Sequence, residues 1–232
     1  HCCDNWRGIS LLNVAGKVVT RLIADRISDI SESIIDETQC GFRKQRGTVD
    51  MVFVARQLQE KAREQNCQLF MCFFDLKKAY DSVPRDTLWC LLGKLGFPAK
   101  MVNIIKQLHF GMEASVRING VLSNPFSVSN GLKQGCVLAP FLFNLYFNKV
   151  MQDALKEFDD GVQVSYKMDG KLFRRSGTRL PMSVSICDLR FADDVMASCQ
   201  NGVSLQDFIN RFSTAAQDWG LCVSTDKTKV MI

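Results

Sequence analysis

Three aspartates, far apart in the chain but alike in setting, carry most of the chemical information in this sequence. Asp193 and Asp194 stand side by side in Phe191-Ala192-Asp193-Asp194, between Ser185–Arg190 and Val195–Ser198, two segments that read as strands. Adjacent carboxylates between apolar flanks are costly to bury unless positive charge sits on them. Hard Mg²⁺ prefers carboxylate oxygen, although such a pair, taken alone, also suits a solvated turn. Asp75 has a matching position: it ends Leu69-Phe70-Met71-Cys72-Phe73-Phe74, an apolar run expected to be a strand buried on both faces. The packing alternative for Asp75 is the N-cap of a helical turn beginning at Leu76. If the two strands are neighbours in one sheet, the acids converge and can share two metal ions. Such a pair of ions stabilises the attacking and leaving oxygens of an in-line phosphoryl displacement.

A polymerase built on that displacement needs four further functions near the acids, and the sequence offers a candidate for each. Tyr80 follows Asp75 by five residues; its ring either lies under an incoming sugar and excludes a 2′-hydroxyl, or is a core aromatic. Arg43, Lys44 and Arg46, bracketed by Gly41 and Gly47, suit either the β- and γ-phosphates or a solvated basic turn. Gln134-Gly135 lies in a turn where glycine allows backbone to approach a base or sugar, or simply shapes the turn. Lys227 can protonate a leaving pyrophosphate or sit exposed in water. Lys171, Arg174, Arg175 and Arg179 form a second basic cluster, able to follow a nucleic-acid backbone or to solvate a hairpin.

The elements that must position these groups are mixed. Helices are expected over residues 9–30, with Val14, Val18, Leu22 and Ile23 recurring at helical spacing and polar residues between; over 48–64, with Thr48 as N-cap and Met51, Val54, Ala55, Leu58 and Ala62 on one face; over 86–95; over 98–110, with Pro98 in the first turn; over 140–158; and over 205–219, capped by Gly220. Strands are expected at 69–74, 114–118, around Asp193, at 221–223 and at 230–232, with hairpin turns at Asn119-Gly120 and Asp169-Gly170. The sum is an α+β fold, a sheet with helices on one face.

The 232 residues are 47% hydrophobic and 23% charged, with a net charge of +5, which suits one large domain or two lobes and is compatible with nucleic acid without requiring it. No run approaches the roughly 18 apolar residues of a membrane span, and no signal peptide is visible. Ten scattered cysteines without C-x-x-C pairs, beside only two histidines, argue against a zinc site or disulfide framework and for a reducing cytoplasmic or nuclear setting inside the cell. The chain opens on His1 and stops within the strand-like Lys229-Val230-Met231-Ile232, so it is read as a fragment of a longer polypeptide.

The order and wording of the motifs resemble the reverse transcriptase domain of non-LTR (LINE-type) retrotransposons over nearly the whole chain. Asn5-Trp6-Arg7-Gly8-Ile9-Ser10-Leu11-Leu12 and Gln39-Cys40-Gly41-Phe42-Arg43 with Thr48-Val49-Asp50 resemble its fingers motifs. Phe74–Asp81 resembles motif A, Asn130–Pro140 motif B, Phe191–Asp194 motif C, and Gly220-Leu221 with Lys227-Thr228 motif D. The resemblance implies a right-hand polymerase palm, an antiparallel sheet backed by helices. It also implies partial fingers over 1–68, with later fingers segments at 94–125, a palm over 69–232 carrying a hairpin insertion near 161–183, and no thumb. It implies Asp75 and Asp193 as principal ligands of two Mg²⁺ ions, replaceable by Mn²⁺, with Asp194 in support and the Leu76 carbonyl contributing. Tyr80 would be the sugar gate, Gln134 and Gly135 would line the nascent base pair, Arg43 and Arg7 would contact the triphosphate, and Lys227 would be the acid for pyrophosphate. The implied partners are an RNA template, a DNA primer and deoxynucleoside triphosphates. Gly8 stands where proline is common and Ala139 where a small hydroxyl residue is frequent. A group II intron-type reverse transcriptase, an inactive remnant that keeps only nucleic-acid binding, and a nucleotidyl cyclase with a related palm are the alternatives. Without a thumb, weak duplex binding and little processive synthesis are expected.

Overall fold

A computed structural model describes residues 8–166 and 182–232. In chain order they form α1 (Val14–Ile34), α2 (Thr48–Glu64), β1 (Phe70–Phe74), α3 (Ala79–Ser82), α4 (Arg85–Lys94), α5 (Ala99–Gln107), β2 (Glu113–Ala114), β3 (Arg117–Ile118), β4 (Val121–Leu122), β5 (Phe126–Ser127), α6 (Ala139–Ala154), β6 (Val162–Tyr166), β7 (Met182–Ile186), β8 (Asp188–Phe191), β9 (Asp194–Cys199), α7 (Gly202–Asp218) and β10 (Lys229–Met231). The chain divides into two compact units. One comprises Ile35–Leu76, Asn148–Ala216 and Val223–Ile232; the other comprises His1–Ile34, Lys77–Phe147 and Gln217–Cys222. The fingers–palm boundary expected at 68/69 does not coincide with this division, because residues 35–68 cluster with the sheet that follows them.

The first unit is built on an antiparallel sheet in the order β10-β1-β9-β8. Its two faces follow the period of two along β1. Phe70, Cys72 and Phe74 lie opposite Cys199, Ala197 and Val195 of β9, and their face meets α7: the Phe74 ring packs edge-on against Phe212 at 4.7 Å and near Phe208 at 6.0 Å. The alternate residues Met71 and Met196 join Leu58 of α2, Val162 and Val164 of β6 and Leu189 of β8 in a buried cluster. Both faces are therefore covered over most of the sheet, by α7 on one side and by α2 with the β6–β7 hairpin on the other, where the sequence led to helices on one face only. Cover stops at Phe73, which is 41% exposed. The expectation that the 69–74 run is buried on both faces fails at this residue, next to the acidic strand end.

The second unit holds α1, α3, α4, α5, the short β2–β5 and β3–β4 ladders and the first half of α6. The Asn119-Gly120 turn forms as expected, with φ of 49° and 84° at the two central residues, the left-handed pair that a tight hairpin requires. The strand expected over 114–118 is broken into β2 and β3. Helix α1 starts at Val14, where the Asn13 side chain accepts a hydrogen bond from the Gly16 N–H, and it buries a different stripe from the one expected. Val14, Val18 and Leu22 are exposed, while Thr20, Ala24, Ile27, Ser28 and Ser31 are buried. The hydroxyls of Thr20 and Ser31 donate to carbonyls four residues back, Gly16 and Ile27. With its hydroxyl satisfied within the helix, a small polar residue buries cheaply. Helix α2 begins one residue earlier than expected: Gly47, not Thr48, is the N-cap, and the Asp50 carboxylate accepts its N–H at 2.7 Å. No helix among the described residues is long and apolar enough to cross a membrane.

Candidate active site

The sheet brings the acids together at one end. β8 and β9 form a tight hairpin in which Phe191 pairs with Asp194, so Ala192 and Asp193 make the two-residue turn. β9 pairs with β1 from Phe70↔Cys199 to Phe74↔Val195. One further step of that register sets Asp75 opposite Asp194, and opposed residues of an antiparallel pair share a face. It is the face on which Phe73 lies open. Beyond β1 the chain continues beside 222–224: the Ser224 N–H donates to the Asp75 carbonyl at 2.7 Å and the Lys77 N–H to the Cys222 carbonyl at 2.8 Å. These bonds bracket Leu76↔Val223 as a non-hydrogen-bonded pair, so the Leu76 N–H and carbonyl are directed away from Val223. From the β10 side, Lys227 reaches across to Asp75 with Nζ 3.6 Å from Oδ2; the lysine side chain is 64% exposed and the aspartate 30%. A pair this open contributes about 0–1 kcal/mol, so Lys227 is held near Asp75 without being fixed there.

This donor set suits a divalent cation of the Mg²⁺ kind. Among the described residues no group of three or more His, Cys, Asp and Glu side chains could hold a metal ion by itself. That is the ordinary condition for Mg²⁺, which keeps several waters and is held by one or two carboxylates together with substrate phosphates. One or two of the carboxylates at this sheet end fit such an ion when substrate phosphates complete its shell; a closed zinc or calcium cage would need more.

Arg43 is placed differently from the phosphate-gripping role expected of it. Its guanidinium is buried and donates to the carbonyls of Asp36 at 2.8 Å and Gln39 at 3.0 Å. It thus braces its own loop, while Lys44 and Arg46 are exposed and Arg46 pairs with Glu37. Arg7 and the basic cluster at Lys171, Arg174, Arg175 and Arg179 lie outside the described residues, as does the Asp169-Gly170 turn.

Tyr80, Gln134 and Gly135 belong to the other unit and are drawn together there. The Tyr80 ring stacks on Phe143 at 4.3 Å and is half-buried, and its carbonyl accepts the Leu132 N–H at 2.8 Å. The Gln134 amide donates to Asp81 at 3.1 Å, and its carbonyl accepts the Ser10 N–H at 2.7 Å. Gly135 has φ +99° and faces Ser10: a Cβ there would lie 2.7 Å from the Ser10 carbonyl oxygen. In this structure the glycine admits the chain's own backbone, which is the turn-shaping alternative the sequence also offered.

Residues 2–232 match the family described as Reverse transcriptase (RNA-dependent DNA polymerase). The chain belongs to this family. Its relatives place it among the non-LTR reverse transcriptases. It is 29% identical over 228 residues to the "Probable RNA-directed DNA polymerase from transposon X-element" of Drosophila melanogaster, covering 97% of this chain and 23% of that protein. It is 32% identical over 145 residues to the "RNA-directed DNA polymerase from mobile element jockey" of Drosophila funebris, covering 62% of this chain and 16% of that one. The chain thus spans less than a quarter of these relatives' length. Among solved structures, telomerase from Candida tropicalis in complex with a fragment of telomeric RNA has the same fold, with a TM-score of 0.61 at 13% identity, over 94% of this chain and 33% of that one. The fold is therefore a partial reverse transcriptase palm, mixed helix and antiparallel sheet. The family generally uses divalent metal ions, which agrees with the acids gathered at the end of the sheet.

Several residues that build this reverse transcriptase site escaped the sequence reading. Arg190 is among the largest fully buried side chains. It pairs with Asp188, with Asp36 at 3.2 Å and with the Asn148 amide oxygen at 3.1 Å. Residues 38–40 run along β8 as an added edge: the Arg190 N–H donates to the Thr38 carbonyl at 2.8 Å, and the Cys40 N–H to the Arg190 carbonyl at 2.9 Å. In the other unit Arg85 is buried and donates to the carbonyls of Gly131, Val128, Asn130 and His109, so one guanidinium holds the motif B loop from within. Lys133 of that loop donates to the Leu108 carbonyl at 2.9 Å, and burial lowers its pKa. Charged residues in short polar stretches read as surface; apart from Asp188, two residues before Arg190, their partners lie more than twenty residues away, so spacing gave little signal.

Proposed function

We propose that this chain is the RNA-directed DNA polymerase domain of a non-LTR retrotransposon and copies the element's RNA into cDNA by nucleotidyl transfer. The observation that supports the proposal is the β1–β9 register, whose last pair, Phe74↔Val195, lies next in sequence to Asp75 on one strand and to Asp194 on the other, with Asp193 in the adjoining turn. Asp75, Asp193 and Asp194 would hold two Mg²⁺ ions, with Mn²⁺ as a substitute, and the Leu76 carbonyl would complete the set. When bound, the ions supply the charge that activates a primer 3′-hydroxyl and neutralises the oxygens of the transferring phosphoryl group.

The chain's own residues do the rest. The stacked Tyr80 ring is a rigid platform for the sugar of an incoming deoxynucleoside triphosphate. The Gln134-Gly135 turn, pinned by Asp81 and Ser10, lines the nascent pair of RNA template and DNA primer. Lys227, tethered near Asp75 and open to water, delivers a proton to the leaving pyrophosphate. Arg43 acts through its loop, by keeping the basic residues Lys44 and Arg46 presented to phosphate. Positioning of this kind is the larger part of phosphoryl-transfer catalysis.

Primer extension on an RNA template with a DNA primer tests the reading. Asp193→Asn and Asp75→Asn are each expected to lower the rate by more than the roughly 10–100-fold typical of losing an outer-shell partner. Chelation should stop synthesis, with Mg²⁺ or Mn²⁺ restoring it. An unchanged rate in Asp193→Asn would remove that residue from the mechanism.

A further inference from the structure

The turn that carries Asp193 is strained and gripped from outside. Ala192 has φ +57°, a conformation that costs a residue with a Cβ free energy and that persists only where its surroundings impose it. The two-residue turn itself calls for a positive φ at its first residue, and Gln39 grips that residue from outside. This side chain is buried at 1% exposure. Its Oε1 accepts the Ala192 N–H at 2.9 Å and the Gly41 N–H at 2.8 Å, and its Nε2 donates to the Ala192 carbonyl at 3.1 Å. One amide thus engages both polar groups of the strained residue, as a neighbouring strand would. Gly41 lets it come so close, because a Cβ at that position would lie 2.2 Å from the Ala192 nitrogen.

We infer that Gln39 is a positioning residue for the metal-binding turn: its amide fixes the backbone of Ala192 and so sets the direction in which Asp193 presents its carboxylate. The inference rests on the polymerase reading and deepens it. The β8–β9 ladder fixes the turn only up to Phe191 and from Asp194. Between those points the Gln39 amide holds the peptide groups on both sides of the Ala192 Cα. A ligand whose backbone is held this way needs no reorganisation when the cation arrives, and outer-shell partners of this kind are typically worth 10–100-fold in metal affinity or activity.

Mn²⁺ binding to the 232-residue chain, followed by electron paramagnetic resonance without nucleotide or primer, reads the effect directly. Gln39→Met, which fills the space but removes all three hydrogen bonds, should weaken Mn²⁺ binding by roughly tenfold or more while circular dichroism stays that of the folded chain. Gln39→Glu keeps the two acceptor bonds and is the variant to use if the methionine does not fold; it should loosen binding by less than Asp193→Asn does. In the double variant Gln39→Met/Ala192→Gly the strain is gone, since glycine takes this φ freely, and part of the affinity should return. Unchanged Mn²⁺ affinity in a folded Gln39→Met chain overturns the inference and leaves the polymerase reading standing, provided Asp193→Asn abolishes binding. An Mn²⁺ signal indifferent to Asp193→Asn overturns both.

Discussion

His109 shows how much a single side chain can impose on this fold. It is buried beside Trp89, their rings 5.4 Å apart, and Nδ1 lies 2.9 Å from the Ile105 carbonyl. Burial lowers its pKa; the Ile105 hydrogen bond opposes that, and the charges of Arg85 and Lys133 add to it. The folded chain therefore favours the neutral imidazole more than the unfolded chain does, which protonates it near pH 6.5. The unfolded state binds the extra proton, so the contribution is fully present above about pH 6.5 and is lost as pH falls toward the folded value, at no more than about 1.4 kcal/mol per pH unit. Urea midpoints at pH 7.5 and 5.5 should fall further in the wild type than in His109→Gln, which donates to Ile105 without titrating. Parallel losses in the two chains would show that His109 is not the group responsible. At this scale the sequence was legible where chemistry is written in residue type: three acids at strand ends, and a lysine that proves to lie across from one of them. It was not legible where a group's partner is remote. Gln39 meets Ala192 across 153 positions, and nothing local marks Arg43 or Arg85 as buried.

Elements were legible wherever local geometry decides them. Helix α4 runs over Arg85–Lys94 and α7 over Gly202–Asp218, within three residues of expectation, and the Asn119-Gly120 hairpin depends on two left-handed residues in a row. The face that a helix buries is set by tertiary contact, and there α1 misled. Its apolar line Val14–Val18–Leu22 is exposed, at 78, 54 and 58%, while Ile27 is fully buried. The two readings of α1 predict opposite mutational outcomes. If the observed face is right, Leu22→Lys changes stability by no more than about 0.5 kcal/mol, whereas Ile27→Ala costs about 2–5 kcal/mol. Chemical denaturation of the two variants separates them, and a larger loss in Leu22→Lys would return the buried face to the line first expected. The same logic explains Phe73. A run of apolar residues predicts a strand, but not the point at which its cover ends, and that opening lies beside Asp75.

At the scale of the whole molecule, the chain crosses between its two units at 34/35, 76/77, 147/148, 216/217 and 222/223. Neither unit is a contiguous stretch of sequence, so a single linear cut such as 68/69 could not separate them. Two of the crossings fall inside helices: α6 runs unbroken through 147/148 and α7 through 216/217. A helix propagates cooperatively along its length. Melting the Asn148–Ala154 half of α6 with one unit therefore removes the helical neighbours of Ala139–Phe147 in the other. The Asp75 strand end and the turn of α3 are joined directly at 76/77, so the residues proposed to act on phosphate and on sugar share one uninterrupted piece of backbone. Two units in one chain would ordinarily be free to unfold in two steps. This connectivity instead predicts one cooperative transition, with far-ultraviolet circular dichroism, reporting helices throughout, and fluorescence of Trp89 and Trp219 in a Trp6→Phe background, reporting the second unit, superimposing in urea. Separate midpoints for the two signals would mean that α6 and α7 break at the crossings, and that the units hold themselves together without the helices that run through both.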